Sequence, residues 1–402
     1  MTRSWVREPV PKFWLASALN SGSTWVMQVS IFLFVLRHSS PAELAMVQLA
    51  GTLPSLLLMP FAGTLADRVS PRWLALGSML AQTAALAAMA VSLDIGLVWL
   101  AALYGLQGTA NAVWLPSRQR WVYGVVPATG RVTANAALSS VSGAMAIIGS
   151  IAGGALSAWS TRLGLFTAGI VQLLAVLPLA LLPEGPTGSP ASTAGTFWAD
   201  LRQGVVALRA LPLARSVVWI GIAWGLIGGG YTVLIASYAA SVIHGGGATL
   251  GAFYVTYGVG TLIGVALAAR LPIRRHLPAY ALAYVVQGVS WAVMFLTTGV
   301  GTAGVMLGAT GISGGVIVAL DTTILLATVP DALRGRMTSV HMTTYMGVSR
   351  LSLVILGGLL AAFDVRAVGV VSGCASVLVA VPWWLTQRGI MRQHYVEAVS
   401  TA

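Results

Sequence analysis

Long apolar stretches recur along the whole chain, and short polar segments separate them. A helix that crosses a bilayer needs roughly 20 mostly apolar residues. By this criterion the pattern predicts twelve membrane-spanning helices and an all-α membrane protein. The predicted spans lie at about 13–36, 43–65, 72–93, 95–116, 135–158 and 163–182, and then at about 213–240, 249–270, 277–298, 300–328, 338–362 and 366–387.

The longest polar segment lies between the sixth and seventh predicted spans. Residues 183–196 are rich in Pro, Gly, Ser, Thr and Ala, which is typical of a linker. After it, apolar residues from Phe197 to Leu211 recur at helical spacing and predict a short amphipathic helix. The sequence leaves open whether this helix lies on the inner membrane face or packs against protein. The chain thus divides into a six-helix bundle (1–182), a cytoplasmic linker with an amphipathic helix (183–211) and a second six-helix bundle (212–402).

The basic residues separate by side of the membrane. Twelve spans place both termini on one side, and only Arg37, Arg162 and Arg366 fall on the opposite side. Arg350 lies within a span, and the other eighteen of the 22 Lys and Arg residues fall on the side of the termini. Because cytoplasmic loops carry an excess of Lys and Arg, we expect both termini to be cytoplasmic in a plasma (inner) membrane.

Composition agrees with a multi-pass membrane protein and excludes several other classes. The chain is 57% hydrophobic and only 8% charged, whereas soluble domains are roughly 25% charged. The net charge of +12 does not indicate nucleic-acid binding, because the basic residues are scattered through short loops. The single cysteine, Cys374, excludes an internal disulfide and a multi-cysteine metal site, and no Gly-Lys-Ser/Thr sequence of an ATP-hydrolysing P-loop occurs. We therefore expect a protein without a metal or other cofactor.

The two halves of the chain share short sequence elements about 200 residues apart. Val126-Pro127 recurs as Val329-Pro330, and Leu65–Arg68 recurs as Leu267–Arg270. Each pair falls at the same place in its six-helix half. Six helices repeated in the same orientation predict two bundles related by a pseudo-two-fold axis along the membrane normal, which is a transporter arrangement with its site at the bundle interface.

Two motifs in the first half resemble those of the major facilitator superfamily. The loop after the second span resembles the Gly-x-x-x-Asp-Arg-x-Gly-Arg-Lys/Arg motif of that family through Gly63, Asp67, Arg68 and Arg72. The resemblance implies that this loop latches the two halves together on the inner side. The fifth span resembles the antiporter motif Gly-Pro-x-x-Gly-Gly, with Ser150 in place of its proline, through Gly149, Ser150, Gly153 and Gly154.

Two further segments resemble one branch of that family. Pro330–Arg336 and Asp200–Pro212 are similar to the enterobactin exporters and macrolide-efflux proteins. The resemblance covers nearly the whole chain and implies the major facilitator fold, a monomer, and secondary active transport by alternating access. An arginine stands ahead of the Gln-Gly pair in drug/proton antiporters, whereas Tyr104–Leu106 precede Gln107 here.

The first, fourth, seventh and tenth helices line the substrate cavity in the family that this chain resembles. On three of them, polar or aromatic residues recur at helical spacing. Such stripes should face a cavity or another helix rather than lipid, so helix–helix hydrogen bonding and aromatic packing remain alternatives. On the seventh helix, Gly228–Gly230 also provides a place where the helix can bend. The three stripes are Asn20, Thr24 and Gln28; Gln107, Asn111 and Trp114; and Trp224, Tyr231 and Tyr238.

Asp321 and Arg350 are the two charges that the predicted spans place deepest in the membrane. Counted from Asp331 and Thr338, they lie about 15 Å and about 18 Å from the inner surface at 1.5 Å per residue. Every other Asp or Glu falls at a helix end or in a loop. Charges inside a membrane are usually paired and functional, so the two residues are candidates for an ion pair that holds helices together, for proton carriage, or for both.

The leading functional hypothesis is a proton-driven exporter of small hydrophobic or amphipathic compounds, such as drugs or siderophore-like molecules. A second hypothesis is a lipid or lysolipid flippase of the same fold, because an apolar cavity also suits acyl chains. A third is an intramembrane hydrolase, because Ser313 lies in a Gly-x-Ser-x-Gly sequence. Its nearest base, His341, is expected near the inner surface and far in depth from Ser313. The expected partners are a small-molecule substrate, protons and the lipid bilayer.

The charge separation predicts the topology. Single cysteines introduced near His38, His244 and Asp364 should react with an impermeant thiol reagent added to intact cells, and one near Gly188 should react only after lysis. The opposite pattern would contradict the predicted orientation.

Overall fold

The computed structural model describes residues 9–126, 131–182, 194–330 and 333–400, and nearly all of them are helical. Side chains are described throughout these ranges except at 9, 59–68, 123–124, 131–137, 139–140, 194–201, 335–336, 339, 387 and 390–400. The chain forms two compact units, Met1–Phe197 with Gly245–Gly251 and Trp198–His244 with Ala252–Ala402. The three-part division at 182 and 211 remains a prediction.

The helices of the first unit follow the predicted spans. They are α1 (Pro9–His38), α2 (Pro41–Arg68), α3 (Pro71–Val91), α4 (Leu97–Val125), α5 (Arg131–Trp159), α6 (Thr161–Leu174) and α7 (Val176–Ala180), with a 3₁₀ turn at Leu93–Ile95. The sixth predicted span is thus divided at Ala175 into α6 and α7.

The remaining helices begin with the predicted amphipathic segment. They are α8 (Ala194–Ala210), α9 (Pro212–Gly228), α10 (Tyr231–Ser241), α11 (Gly247–Ala268), α12 (His276–Leu296), α13 (Val300–Ala327), α14 (Arg334–Ala362) and α15 (Val365–Ser400), with a 3₁₀ turn at Ile273–Arg275. The seventh predicted span is interrupted between Gly228 and Tyr231, which confirms the bend predicted at the glycine triplet.

Eleven helical stretches in the described part of the chain are long and apolar enough to cross a membrane. They correspond to eleven of the twelve predicted spans and confirm a multi-pass, all-α membrane protein. The twelfth predicted span is α4, which has 29 residues but carries Gln107, Asn111 and Arg118 along its length. Its polar content, not its length, separates it from the other eleven.

Local sequence signals fix where several helices begin. Proline stands at the first position of α2, α3 and α9, where its missing N–H costs no hydrogen bond. At the start of α2, the Ser40 N–H donates to Glu43 Oε2 at 2.9 Å and the Glu43 N–H donates to Ser40 Oγ at 3.3 Å. This reciprocal pair is a capping box, which satisfies two donors that the helix itself cannot.

In the first unit, α1 packs against α5 and α6, while α4 packs against α2 and α3. Its core contains large aromatic side chains, and the Phe13 and Trp121 rings meet edge to face at 5.2 Å. At one end, Lys12 Nζ donates to the Leu181 carbonyl at 3.2 Å and Arg72 donates to the Ala180 carbonyl at 2.9 Å. Two cations therefore satisfy carbonyls at the C-terminus of α7, where the helix dipole favours positive charge.

The C-terminal part of α8 packs on the second unit. Leu208 is buried in that unit's core, with Ala207 and Leu211 packed beside it, while Val205 and Val206 stay exposed. Of the two possibilities that the sequence left open for this helix, the described residues show packing against protein.

In the second unit, α12 packs against α13 and α15, and α9 packs against α14 and α15. Glycines let α11 and α13 approach closely: Gly260 and Gly264 of α11 face α13, and Gly311 and Gly315 of α13 face α11. A Cβ atom on Gly315 would overlap the carbonyl oxygen of Thr261. Small residues of this kind let membrane helices meet backbone to backbone, where van der Waals contact holds them together.

This packing predicts that Gly315→Ala destabilises the protein, because the helices must separate to admit the new methyl group. We expect a loss of about 1–3 kcal/mol, seen as a lower midpoint of thermal unfolding in detergent. Gly301→Ala on the same helix is the matched control, since nothing lies within 4 Å of its Cβ position. Equal midpoints for the two variants would contradict the close-packing role.

Candidate functional site

Asp321 of α13 is held by two side chains from neighbouring helices. Tyr280 of α12 donates its hydroxyl to Oδ1 at 2.5 Å, and Nε2 of His341 of α14 lies 2.5 Å from Oδ2. The side chains of Asp321 and His341 are 14% and 6% exposed. A carboxylate and an imidazole thus meet in a largely buried site inside three membrane-spanning helices.

Glycines of the seventh span position the imidazole. Gly221, Gly225 and Gly229 recur every four residues and face His341, Tyr345 and Ser349 of α14, which have the same spacing. A Cβ atom on Gly221 would lie 3.1 Å from His341 Cε1, and one on Gly225 would lie 3.3 Å from Tyr345 Cδ2. Because these positions lack side chains, both rings lie directly against the backbone of α9.

The tyrosine that binds Asp321 belongs to a larger network. The Tyr280 and Tyr284 hydroxyls are 3.3 Å apart, and the Tyr280 ring meets Trp383 of α15 at 5.7 Å. Trp383 in turn donates to Ser216 Oγ of α9 at 2.6 Å. Helices α9, α12, α13 and α15 are therefore joined by side chains that also fix the carboxylate.

This arrangement can bind and exchange a proton. A carboxyl and an imidazole can each exist with or without a proton, and such groups inside a membrane protein are typical of proton relays. Because Nε2 of His341 and Oδ2 of Asp321 are within hydrogen-bond distance, a proton between them can belong to either group.

Asp321 and His341 lie at similar distances from the neighbouring ends of their helices. Asp321 lies six residues before the end of α13 at Ala327, which is about 9 Å along the helix axis. His341 lies seven residues after the start of α14 at Arg334, which is about 10 Å. The two residues are thus at one level, and their depths below the membrane surface remain predictions.

Arg350, the predicted partner of Asp321, lies on α14 and is partly buried. Both charges lie within electrostatic range of Tyr345. The two hydrogen bonds described for the Asp321 carboxylate go to Tyr280 and His341. A direct ion pair between Asp321 and Arg350 remains a prediction.

Ser313 lies on the same helix as Asp321, eight residues earlier, at a rise of about 12 Å. Its hydroxyl donates to the Ala309 carbonyl of its own helix at 2.9 Å. His341, the base considered for a hydrolase, contacts Asp321 instead.

An aromatic pocket surrounds the break between α9 and α10. Trp224 donates to Gln287 Oε1 at 2.7 Å and stacks on Tyr345 with centroids 5.5 Å apart. Tyr231 meets Tyr257 at 5.1 Å. Trp224, Tyr231 and Tyr257 line a cavity of about 40 Å³ together with Gln287, Trp291 and Ser372.

Two of the three predicted residues on the seventh span line this pocket, and the third does not. Trp224 and Tyr231 line it, whereas Tyr238 is fully buried against Phe253 and Phe295. The Tyr238 hydroxyl donates to the Thr297 carbonyl at 3.0 Å. Tyr238 therefore belongs to the packed interior of the second unit.

A larger apolar groove of about 420 Å³ lies beside this pocket, between α9–α10, α14 and α15. Its lining side chains are aliphatic or aromatic apart from Ser352 and Ser372. Ile227 and Ser372 line both the groove and the aromatic pocket.

In the first unit, several predicted cavity residues bind their neighbours. Gln172 donates to Asn20 Oδ1 at 3.0 Å, and Gln107 donates to Gln82 Oε1 at 3.3 Å. Trp114 is 2% exposed and lies 5.8 Å from the Arg118 guanidinium. These contacts show helix–helix bonding, and a role of these residues in a cavity remains a prediction. The other three, Thr24, Gln28 and Asn111, are partly buried.

The antiporter-like residues pack the fifth span against the first. Cβ atoms on Gly149 and Gly153 would collide with Gly22, Trp25 and Val26 of α1. Ser150 donates to the Ala146 carbonyl at 2.7 Å, and Gly154 is buried. The loop-motif residues Gly63, Asp67 and Arg68 lie in α2, and their side chains lie outside the described residues. The fourth residue of the motif, Arg72, donates to the Ala180 carbonyl at the end of α7.

The sequence model of the Major Facilitator Superfamily matches residues 13–352, which is most of the chain. The chain belongs to the major facilitator superfamily. It is therefore a transporter and not an enzyme of the hydrolase type considered above. No curated protein matches the sequence significantly.

Solved structures of major facilitator transporters share the fold. The nucleoside transporter NupG is 13% identical, with 94% of this chain and 98% of that chain covered at a TM-score of 0.73. A bacterial homologue of the human lysosomal transporter Spinster, inward-facing and unoccupied, is 16% identical, with 99% of both chains covered at 0.72. A POT family transporter in complex with a thioalcohol-conjugated peptide is 11% identical, with 95% of this chain and 96% of that chain covered at 0.70.

The contact between Asp321 and His341 in this major facilitator protein predicts strong thermodynamic coupling. Asp321→Asn and His341→Gln should each lower the free energy of unfolding, because each leaves a buried partner without its counterpart. The double variant should recover part of the loss, with a coupling energy of about 1–3 kcal/mol in a double-mutant cycle.

The control cycle uses Asp94→Asn and Arg162→Gln. That ion pair also joins two segments, but its side chains are 80% and 47% exposed. Its coupling energy should stay below about 1 kcal/mol. Additive effects at Asp321 and His341 would contradict a direct interaction.

Proposed function

We propose that this protein is a proton-coupled secondary transporter that exports small hydrophobic or amphipathic compounds by alternating access. The observation that carries the proposal is the buried contact of Asp321 with His341 and Tyr280. Ionisable groups inside a membrane are costly and usually mark ion or substrate pathways. A coupled carboxyl–imidazole pair provides a site at which a proton can be held during one part of a transport cycle and released in another.

The direction and location of transport rest on sequence. The antiporter-like residues from Gly149 to Gly154 and the resemblance to the enterobactin-exporter and macrolide-efflux branch support proton antiport and export. The excess of arginine on the side of the termini supports an inner-membrane protein whose two ends are cytoplasmic.

The substrate class rests on the second unit. Its aromatic pocket lies beside an apolar groove. The two together suit a molecule with both hydrogen-bonding and apolar parts. The groove also favours a second candidate function, a lipid or lysolipid flippase, because its volume of about 420 Å³ and aliphatic lining suit an acyl chain.

Asp321→Asn should abolish uphill substrate accumulation driven by a pH gradient in proteoliposomes and leave downhill exchange of the same substrate intact. Asparagine keeps the shape of the side chain and one acceptor oxygen but cannot bind and release the proton. A panel of lipophilic dyes and drugs first identifies a substrate of the unmodified protein. Asp94→Asn, which removes an exposed carboxylate, is the matched control and should transport normally.

The same assay tests the contribution of His341. His341→Gln should shift the pH dependence of gradient-driven transport while downhill exchange continues, because the carboxyl loses a neighbour that can itself carry a proton. If Asp321→Asn still concentrates substrate when the pH gradient is the only driving force, the carboxyl is not the coupling site.

A further inference from the structure

The groove and the aromatic pocket of the second unit meet at the break in the seventh span. Gly228 lines the pocket and Gly230 lines the groove, so the interrupted backbone forms the boundary between them. Ile227 and Ser372 contribute to both, so the two spaces adjoin at these two side chains. A ligand with one polar end and one apolar end matches this pair of spaces, its polar end the pocket and its apolar end the groove.

Residues at the rim of the groove are exposed on apolar segments that are long enough to span a membrane. The groove's lining residues lie within the spans Pro212–Ser241, Val340–Ala362 and Val365–Thr386 or at their ends. Phe363 and Val371, at 60% and 65% exposed, lie on its outer rim. At about 420 Å³ the groove falls in the range of about 300–1,000 Å³ that holds small ligands.

An apolar tail alone gains little in this groove. Lipid tails are as apolar as its lining, so moving a chain from the bilayer into the groove removes no apolar surface from water. Packing holds the tail in place, and selection among membrane compounds must come from the other end of the ligand.

The pocket restricts the size and charge of that other end. Its volume of about 40 Å³ admits a group of one to a few heavy atoms, since a single water needs about 10–15 Å³ by the same measure. None of the described residues that line it is charged, and a charged group buried without an ionic partner is strongly disfavoured. Gln287 Oε1 already accepts from Trp224, which leaves the amide NH₂ as its donor to a ligand oxygen.

We propose that the substrate of this transporter is a single-chain amphiphile with a small uncharged head group, an alcohol or a primary amide. The proposal rests on the proposed export function and specifies its substrate. The head group binds Gln287 in the aromatic pocket, and the alkyl chain extends past Ile227 and Ser372 into the groove. The chain enters and leaves through the bilayer, so the compound reaches the site without crossing water.

The test is photo-labelling of the protein in liposomes without any ion gradient. The probe is a 12-carbon primary alcohol with a diazirine in mid-chain, and mass spectrometry locates its adducts. We expect saturable labelling at the groove residues Ile355, Leu359 and Val371. An excess of 1-dodecanol should reduce it about tenfold, in line with simple competition for one site. Dodecane, which lacks the head group, and lysophosphatidylcholine, whose head group is large and charged, should not reduce it.

Two variants on α15 separate the groove from ordinary lipid contact. Ala375→Trp fills the groove and should abolish the saturable labelling. Leu378→Trp is the control, because Leu378 is 72% exposed on the same helix and does not line the groove. In the Gln287→Leu variant, 1-dodecanol should compete with the probe no better than dodecane does. The probe's chain should then label the groove only as strongly as it labels residues in ordinary contact with lipid.

Labelling that does not saturate, or that dodecane competes as well as 1-dodecanol, would overturn the proposal, and neither result depends on a variant folding. If lysophosphatidylcholine competes as well as 1-dodecanol, the assignment of a small uncharged head group is wrong and a flippase function is favoured. Because the assay uses no gradient, a failure of proton coupling at Asp321 leaves these outcomes unchanged. Conversely, the gradient assay can succeed while this substrate assignment fails.

Discussion

A polar group inside the hydrocarbon layer finds no water, so each must be satisfied within the protein. This constraint explains most of the side-chain contacts described above. Gln172 binds Asn20 across two helices, Trp383 binds Ser216, and Trp291 binds Ser372. Each pair removes the free-energy cost of burying an unpaired donor or acceptor. Each pair also fixes the rotation of one helix relative to another. The polar residues of the spans therefore determine how helices are oriented within a unit, while glycines determine how closely they approach.

Asp321 obeys the same constraint with a charged group. Its two oxygens are occupied by a phenol from α12 and an imidazole from α14, so the carboxylate stands where three helices meet. A structural ion pair would be satisfied by a permanent cation such as arginine. The imidazole differs from arginine, because it can exist with or without a proton. Under the proposed function, structural support and proton binding are properties of one contact, which is why the sequence alone left them as alternatives.

The apolar spans, the interruption at Gly228–Gly230 and the burial of Asp321 within a span were readable from the sequence, because each depends on local composition. The partners Tyr280 and His341 were not, because they lie on other helices whose rotation and depth no local pattern fixes. Tyr238 shows the same limit. Tyr231 and Tyr238 lie in one helix, α10, and their spacing of seven puts them on one face about 10 Å apart along its axis. The spacing does not show how far along that face the pocket extends, and Tyr238 lies beyond it, packed against Phe253 and Phe295. The four-residue repeat of Gly221, Gly225 and Gly229 was a detectable signal for the close approach of the α14 rings.

The flat glycine face of α9 also bears on kinetics. Interdigitated leucines would have to leave and re-enter their holes whenever α14 rotated or shifted along its axis, and that repacking sets a high barrier. Rings lying against bare backbone have few such interlocked positions, so displacement of α14 meets little steric resistance. The contact of His341 with Asp321 and the stacking of Tyr345 on Trp224 are then the side-chain restraints on α14 described at this level. The rate at which α14 moves would thus depend on a few specific contacts more than on the reorganisation of interlocked side chains.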